Sequence, residues 1–130
     1  MSPRALLTLS VLPSRYAICR LDPKEAVPAW AGEGEFLSIT RTKDELSIVC
    51  PETNVPSNVV CAGGWRVLRC EGPLHFGLTG IVASLAEPLA NAQVAIFPIA
   101  THDTDYLLVK EPALDRAIQA LTSYGHAVRV

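Results

Sequence analysis

The sequence has little charge and no paired metal-ligand motif, and each shortage argues against a class of function. Only 18% of the 130 residues are charged, the net charge is −2, and the 11 Lys and Arg residues are scattered. Nucleic-acid binding needs clustered cations, so we expect no nucleic-acid partner. The four cysteines form no CxxC pair, which argues against a zinc site. We therefore expect no metal and no cofactor, and we expect reduced core thiols in a cytoplasmic protein.

Long apolar runs and catalytic motifs are also missing. The opening stretch "MSPRALLTLSVLPSRY" is too short to span a bilayer and has no small-residue cleavage site, so it predicts a strand over residues 5–12 and no membrane association. No Ser-His-Asp or Cys-His arrangement and no GxxxxGK loop occurs, so we do not expect an enzyme. Hydrophobic residues make up 49% of the chain, which is enough for one domain or two small ones.

The spacing of the apolar residues predicts two halves of similar order. In the first half we expect strands over 5–12, 16–21, 35–40 and 45–50, with a short helix that begins at Asp22 and ends by Pro28. In the second half we expect strands over 65–70, 93–99, 106–110 and 127–130 and helices over 78–89 and 114–124. Pro88 should kink or end the first of these helices near Glu87, and Pro98 should place its strand at a sheet edge or a bulge.

An internal repeat supports this division. A shift of 61 positions aligns five identical residues: Phe36 with Phe97, Thr40 with Thr101, Asp44 with Asp105, Leu46 with Leu107 and Pro51 with Pro112. The chain therefore reads as two copies of one unit, residues 1–63 and 64–130. The predicted fold is α+β: two ferredoxin-like βαββαβ units packed together, each with an antiparallel sheet and its helices on one face.

Three stretches carry a resemblance to a known family. The segment "EGPLHFGLTGIVASLAEPLANAQVAIFPIATHDTDYLLV" resembles the second unit of the small tandem ACT-domain proteins, and "LPSRYAICRLDP" and "FLSITRTKDELSIVCPE" resemble the first unit. This type of ACT pair is found in the CASTOR-type arginine sensors and is similar to the regulatory part of aspartate kinases. The resemblance implies a regulatory protein without catalysis that binds a small molecule, in the first place an amino acid, at an interface between ACT units. It also implies a homodimer and leaves room for a regulated protein partner.

The resemblance places the ligand contacts in two segments. One is the loop that enters the first long helix, with Gly72, Pro73, Leu74, Gly77, Leu78, Thr79 and Gly80, and the other is the hairpin segment Thr101, His102, Asp103, Thr104 and Asp105. A helix N-terminus suits a ligand carboxylate, and the two aspartates suit an ammonium or a basic side chain. If the hairpin segment is extended, Asp103 and Asp105 share one side, whereas His102 and Asp103 face opposite sides.

Other interpretations stay open for these residues. The segment "HDTD" is also a plausible plain turn, because Asp and Thr side chains bond their own backbone. The chain is alternatively a dimerisation or protein-interaction module that binds no ligand. A small enzyme that uses His102 beside Asp103 is a third and weaker interpretation, because those two side chains would not reach one substrate atom.

Overall fold

The computed structural model describes residues 6–72 and 79–130, which fall into two compact units. The smaller unit comprises residues 14–65, and the larger comprises 1–13 and 66–130. The strands are β1 Thr8–Val11, β2 Tyr16–Leu21, β3 Ser38–Arg41, β4 Leu46–Pro51, β5 Cys61–Cys70, β6 Phe97–Ala100, β7 Asp105–Lys110 and β8 Ala127–Arg129. The helices are α1 Ile81–Asn91 and α2 Leu114–Tyr124, with short 3-10 helices at Ala29–Gly32, Glu52–Asn54 and Glu111–Ala113.

The smaller unit has the strand order β3-β4-β2-β5, with every neighbouring pair antiparallel. This is the order of a ferredoxin-like sheet, but 3-10 helices stand where that fold has α-helices. The predicted helix from Asp22 is wrong. The Asp22 carboxylate accepts the Lys24 N–H at 2.9 Å, and the Asp22 carbonyl accepts the Glu25 N–H at 3.1 Å. These bonds close a single turn, and Pro28 prevents a longer helix.

Strand β5 begins at Cys61, four residues earlier than predicted, because it contains a glycine bulge. Opposite β2, Tyr16 pairs with Trp65 whereas Ile18 pairs with Ala62, so β5 carries one extra residue between them. Gly64 takes a φ of +76°, and its N–H donates to the Glu52 carboxylate at 2.7 Å. Glycine is depleted in ordinary strands, so the sequence pattern predicted a loop where a bulge in fact continues the strand.

The larger unit has the strand order β6-β7-β5-β1-β8. This is again the ferredoxin-like order, with β1 inserted between β5 and β8. Strand β1 pairs antiparallel with β5, where Leu9 faces Cys70, and parallel with β8, where Leu9 faces Val128. The first strand thus belongs to the same compact unit as the second half of the chain. The division into domains at residues 63 and 64 stays a prediction.

Both α-helices of the larger unit pack on one face of its sheet. Alternate residues of β5 and β7 join residues of both helices in a single apolar cluster, whose members include Leu9, Leu68, Cys70, Ile81, Leu85, Leu89, Leu107, Val109, Ala117 and Leu121. Since every second strand residue points to the same side, one face supplies all of these strand contacts. The α+β class and the helices on one face are confirmed. Among the described strands β6 pairs with β7 alone, so the predicted edge position of Pro98 is confirmed as well.

Helix α1 continues through Pro88 to Asn91, so it does not end near Glu87, and the predicted kink there stays a prediction. Proline has no N–H, and the Ser84 carbonyl therefore lacks its usual helical donor. The ring of His126, which is 3% exposed, supplies a replacement: Nε2 lies 2.8 Å from the Ser84 carbonyl oxygen. On the other side of the ring the Leu7 N–H donates to Nδ1 at 3.0 Å, which fixes the tautomer with its hydrogen on Nε2.

The two hairpins repeat at an offset of 59 residues, not 61. Their elements begin at equivalent positions: Ser38 and Phe97, Leu46 and Asp105, and Glu52 and Glu111. A change of two residues leaves the alternation of inward and outward side chains unchanged. For this reason the apolar pattern predicted a repeat but could not distinguish the two offsets.

Candidate functional site

The segment from Thr101 to Thr104 is a tight turn that joins β6 to β7. The Thr104 carbonyl accepts the Thr101 N–H at 2.9 Å and the Thr101 hydroxyl at 3.0 Å. At the tip, His102 Nδ1 lies 2.9 Å from the Asp103 carboxylate, and the two side chains are 85% and 73% exposed. The segment is therefore not extended before Asp105. The expectations that His102 and Asp103 face opposite sides and that Asp103 and Asp105 share one side do not hold.

The first hairpin contains the same turn. The Glu45 carbonyl accepts the Thr42 N–H at 2.9 Å, and the Asp44 and Glu45 N–H groups donate to the Thr42 hydroxyl at 3.1 Å. At the offset of 59, Thr42 corresponds to Thr101 and Asp44 to Asp103. Formation of the turn thus accounts for the threonine at this place in each hairpin, and an aspartate follows two residues later in both copies.

Thr104 connects the hairpin to the strand from which the predicted ligand loop departs. Its side chain is buried, and its hydroxyl donates to the Cys70 carbonyl at 2.8 Å. Cys70 is the last residue of β5, and the connection to α1 follows through Glu71 and Gly72. The structure therefore brings the hairpin segment and the start of the loop together, although they lie far apart in sequence.

Asp105 is the first residue of β7 and is half-buried. By strand alternation it shares the helix-covered face with Leu107 and Val109. Burial, and then the negative charge of Asp105, raises the pKa of the Cys70 thiol to about 12. Within residues 6–72 and 79–130 the Asp105 carboxylate has no hydrogen bond or ion pair. In the first hairpin the corresponding residue is Leu46, which is fully buried.

The structure describes only the two ends of the predicted ligand loop, residues 72–80. Gly72, Thr79 and Gly80 are exposed, whereas Pro73, Leu74, Gly77 and Leu78 lie outside the described residues. Gly80 precedes α1 with a φ of +74°, which favours glycine, and its carbonyl accepts the Ser84 N–H at 2.9 Å. Among residues 6–72 and 79–130 no side chain caps this end of α1, so its first N–H groups carry the partial positive charge that suits an anion.

A cavity lies at the start of α2, and the sequence pattern did not predict it. Five apolar residues, one cation and one anion line it: Val11, Pro13, Leu114, Ile118, Val130, Arg66 and Asp115. The Arg66 guanidinium donates to the Leu12 carbonyl at 3.3 Å. None of the described residues that were predicted to contact a ligand lines this cavity. Its only sequence signal is Arg66 within the apolar stretch "WRVLRC".

No group of three or more His, Cys, Asp or Glu side chains among residues 6–72 and 79–130 is placed to hold a metal ion. Neither described helix is long and apolar enough to cross a membrane.

The two ferredoxin-like strand orders, with a Thr-Asp turn in each hairpin, define a tandem α+β protein. The family model of the ACT domain matches residues 60–123, and a second family model, for an N-terminal domain, matches residues 14–58. The chain belongs to the ACT-domain family, so the resemblance seen in the sequence is confirmed.

Relatives of known sequence point the same way. Over 109 residues the chain is 41% identical to the human "Cytosolic arginine sensor for mTORC1 subunit 1", with 76% of this chain and 33% of that protein covered. The protein of the same name from Bos taurus is 31% identical over 109 residues, with the same coverage. The chain thus spans about a third of the length of these curated relatives.

Solved structures agree in fold. A crystal structure of an Agrobacterium tumefaciens protein is 42% identical, with a TM-score of 0.90, and the match covers 98% of this chain and 93% of that one. The aspartate kinase of Clostridium acetobutylicum is 10% identical, with a TM-score of 0.66 over 95% of this chain and 36% of that one. The second likeness concerns the fold alone.

Proposed function

We propose that this chain is a regulatory protein that binds an amino acid and has no catalytic role of its own. The ligand lies at an interface between ACT units. The hairpin segment 101–105 and the loop 72–80 supply its contacts. The 41% identity to a protein named as an arginine sensor supports an amino-acid ligand and makes arginine the first one to test.

One observation carries the proposal: Asp105 stands where the repeated unit has a buried leucine. Thr101 is explained by the turn, Asp103 has a counterpart in Asp44 of the first hairpin, and Thr104 is explained by its bond to the Cys70 carbonyl. The fold does not require a carboxylate at the start of β7, because Leu46 fills the same place in β4. A half-buried carboxylate without a partner among the described residues is suited to a cationic group of a ligand.

The chemistry of an amino acid fits the two ends of this site. Asp105 would pair with the ammonium or with a basic side chain, and the free N–H groups after Gly80 would receive the carboxylate. His102 and Asp103 at the tip of the turn would contact the ligand from the rim. In a cytoplasmic homodimer, a ligand that binds one arrangement of ACT units more tightly than another would shift their equilibrium, and a protein partner would read that shift.

Thermal unfolding in the presence of each of the twenty amino acids tests the proposal. The far-ultraviolet circular dichroism of the helices monitors the unfolding. A ligand that binds only the folded state adds about 2.7 kcal/mol of stability at a concentration of 100 times its Kd. We expect such a rise for the cognate amino acid and none in Asp105→Asn. Asp105→Leu should also lose the rise while it melts at or above the wild-type temperature without ligand, because leucine is the residue of the first hairpin.

The repeat supplies a matched control. Asp44→Ala removes a turn carboxylate at the position equivalent to Asp103 and should leave the ligand-induced rise unchanged, whereas Asp103→Ala reports whether the tip contributes. If the ligand still raises the melting temperature of Asp105→Asn, the hairpin is not part of the binding site. A folded protein that no amino acid stabilises would favour the interaction module without a ligand.

A further inference from the structure

Three cysteine thiols of the smaller unit meet on one face of its sheet. Cys19 lies on β2, Cys50 lies on β4, and Cys61 is the first residue of β5. Cys19 is directly opposite Cys61 in the pairing of β2 with β5 and lies with Cys50 in one cluster of buried residues. Cys19 and Cys50 are buried, whereas Cys61 is exposed. A dissolved oxidant can therefore reach one thiol of the cluster and, through it, a buried partner.

The backbone holds Cys19 and Cys61 at the separation of a disulfide. They are directly opposed in the antiparallel pair of β2 and β5. The neighbouring Arg20 N–H donates to the Val60 carbonyl at 3.0 Å, so Arg20 and Val60 form the hydrogen-bonded pair, and the two cysteines form the non-hydrogen-bonded one. Cα atoms of such pairs lie about 4.5 Å apart, and disulfides span about 4.4–6.8 Å. The bond can therefore form with both strands in place.

We propose that Cys61 and Cys19 are an oxidation site at which a peroxide produces a reversible cross-strand disulfide. The Cys61 sulfur attacks one peroxide oxygen, the O–O bond breaks, and a sulfenic acid and one water result. The Cys19 sulfur then attacks the Cys61 sulfur, the S–O bond breaks, and the hydroxyl leaves as a second water with the Cys19 proton. Two thiols lose two electrons in total, and the peroxide is reduced to two waters.

The environments of the two thiols assign the order of these steps. Burial, followed by the proximity of Cys50 and Cys61, raises the pKa of Cys19 to about 12, so Cys19 stays protonated and is a poor first target. Cys61 is exposed and reacts first, and its position directly opposite Cys19 keeps the Cys19 sulfur within reach. A buried cysteine alone would be explained by packing, as Cys70 is in the core of the larger unit.

The test treats the reduced full chain with hydrogen peroxide, denatures it in an alkylating reagent, and counts free thiols by mass spectrometry. We expect the four alkylatable thiols to fall to two, a peptide map that joins Cys19 to Cys61, and full recovery with reduced glutathione. Cys61→Ser, a change at an exposed position, should keep all of its remaining thiols reduced. Cys70→Ala, the matched control in the larger unit, should still lose two thiols.

Three results would overturn the proposal. One is a Cys61 sulfinic acid with Cys19 still alkylatable. Another is a disulfide between the Cys61 residues of two chains, seen as a dimer on a non-reducing gel. The third is a map that joins Cys19 to Cys50. Tryptophan fluorescence of Trp30 and Trp65, both in the smaller unit, shows whether each variant remains folded.

Discussion

Replacement of His126 by alanine should destabilise the larger unit strongly, because this ring bonds the Leu7 N–H and the Ser84 carbonyl, which lacks its usual helical donor at Pro88. Its Nε2–H donates to the Ser84 carbonyl at 2.8 Å, and its Nδ1 accepts the Leu7 N–H at 3.0 Å. The ring is also packed against Tyr124, with centroids 5.3 Å apart. Both backbone groups lose their partners in His126→Ala, and the truncation leaves a cavity.

The expected loss is large relative to the stability of a small domain. Each buried polar group without a partner costs about 1–3 kcal/mol. The Leu7 N–H is only partly buried, so water can replace part of its bond, and we expect His126→Ala to lower the free energy of unfolding by about 2–4 kcal/mol. Small domains are stable by about 5–15 kcal/mol. His102→Ala, at the exposed tip of the hairpin, should change the same quantity by less than about 0.5 kcal/mol.

Pro88 makes this prediction specific. In Pro88→Ala the new backbone N–H can donate to the Ser84 carbonyl in the usual helical pattern, so that carbonyl no longer depends on His126. Loss of the histidine then leaves only the Leu7 N–H without a partner. In a double-mutant cycle the effect of His126→Ala should therefore be smaller by about 1–2 kcal/mol in the Pro88→Ala background. Packing changes caused by the loss of the proline ring cancel in the cycle.

Urea unfolding measures these free energies, with far-ultraviolet circular dichroism as the signal. Both α-helices of the described chain lie in the larger unit, so their signal reports on that unit. Trp30 and Trp65 lie in the smaller unit, and their fluorescence shows whether the change stays local. Additivity of the two substitutions within about 0.5 kcal/mol would refute the claim that His126 replaces the donor missing at Pro88.

Two further predictions concern the hairpin and the core beside it. Thr104→Val should lower the free energy of unfolding by about 1–2 kcal/mol, because it removes the bond to the Cys70 carbonyl, whereas Thr104→Ser should keep most of the stability; equal urea midpoints for the two variants would contradict this. The pKa of Cys70 is raised to about 12, so above about pH 9 the unfolded chain releases a proton that the folded chain keeps. Stability should therefore fall as the pH rises from about 9 towards 12, and the fall should be shallower in Cys70→Ala; parallel urea-midpoint curves for the variant and the wild type would refute it.

Sequence periodicity predicted most of the elements, because burial on one face leaves a regular pattern. The periodicity gave a wrong prediction where a backbone carbonyl or N–H group forms its hydrogen bond with a side chain that is distant in the sequence. The helix was predicted to kink or end near Glu87, but it continues, and His126, far along the sequence, supplies the bond that Pro88 cannot. The start of β5 was predicted to be a loop, but the Glu52 carboxylate receives the Gly64 N–H and lets a bulge continue the strand. No local pattern contains such a partner.

The polar hairpin shows why residue type alone could not define the candidate site. All five residues from Thr101 to Asp105 were candidates for ligand contact, because polar density before an apolar strand suggests a site. The first hairpin acts as an internal control, since it builds the same turn with Thr42 and also has an aspartate two residues later. A residue that the turn requires occurs in both hairpins. A residue that occurs in only one hairpin therefore needs another explanation. At the start of the strand the first copy has the buried Leu46 and the second has Asp105. Because of this difference, we expect replacement of Asp105 to abolish binding without harm to the fold.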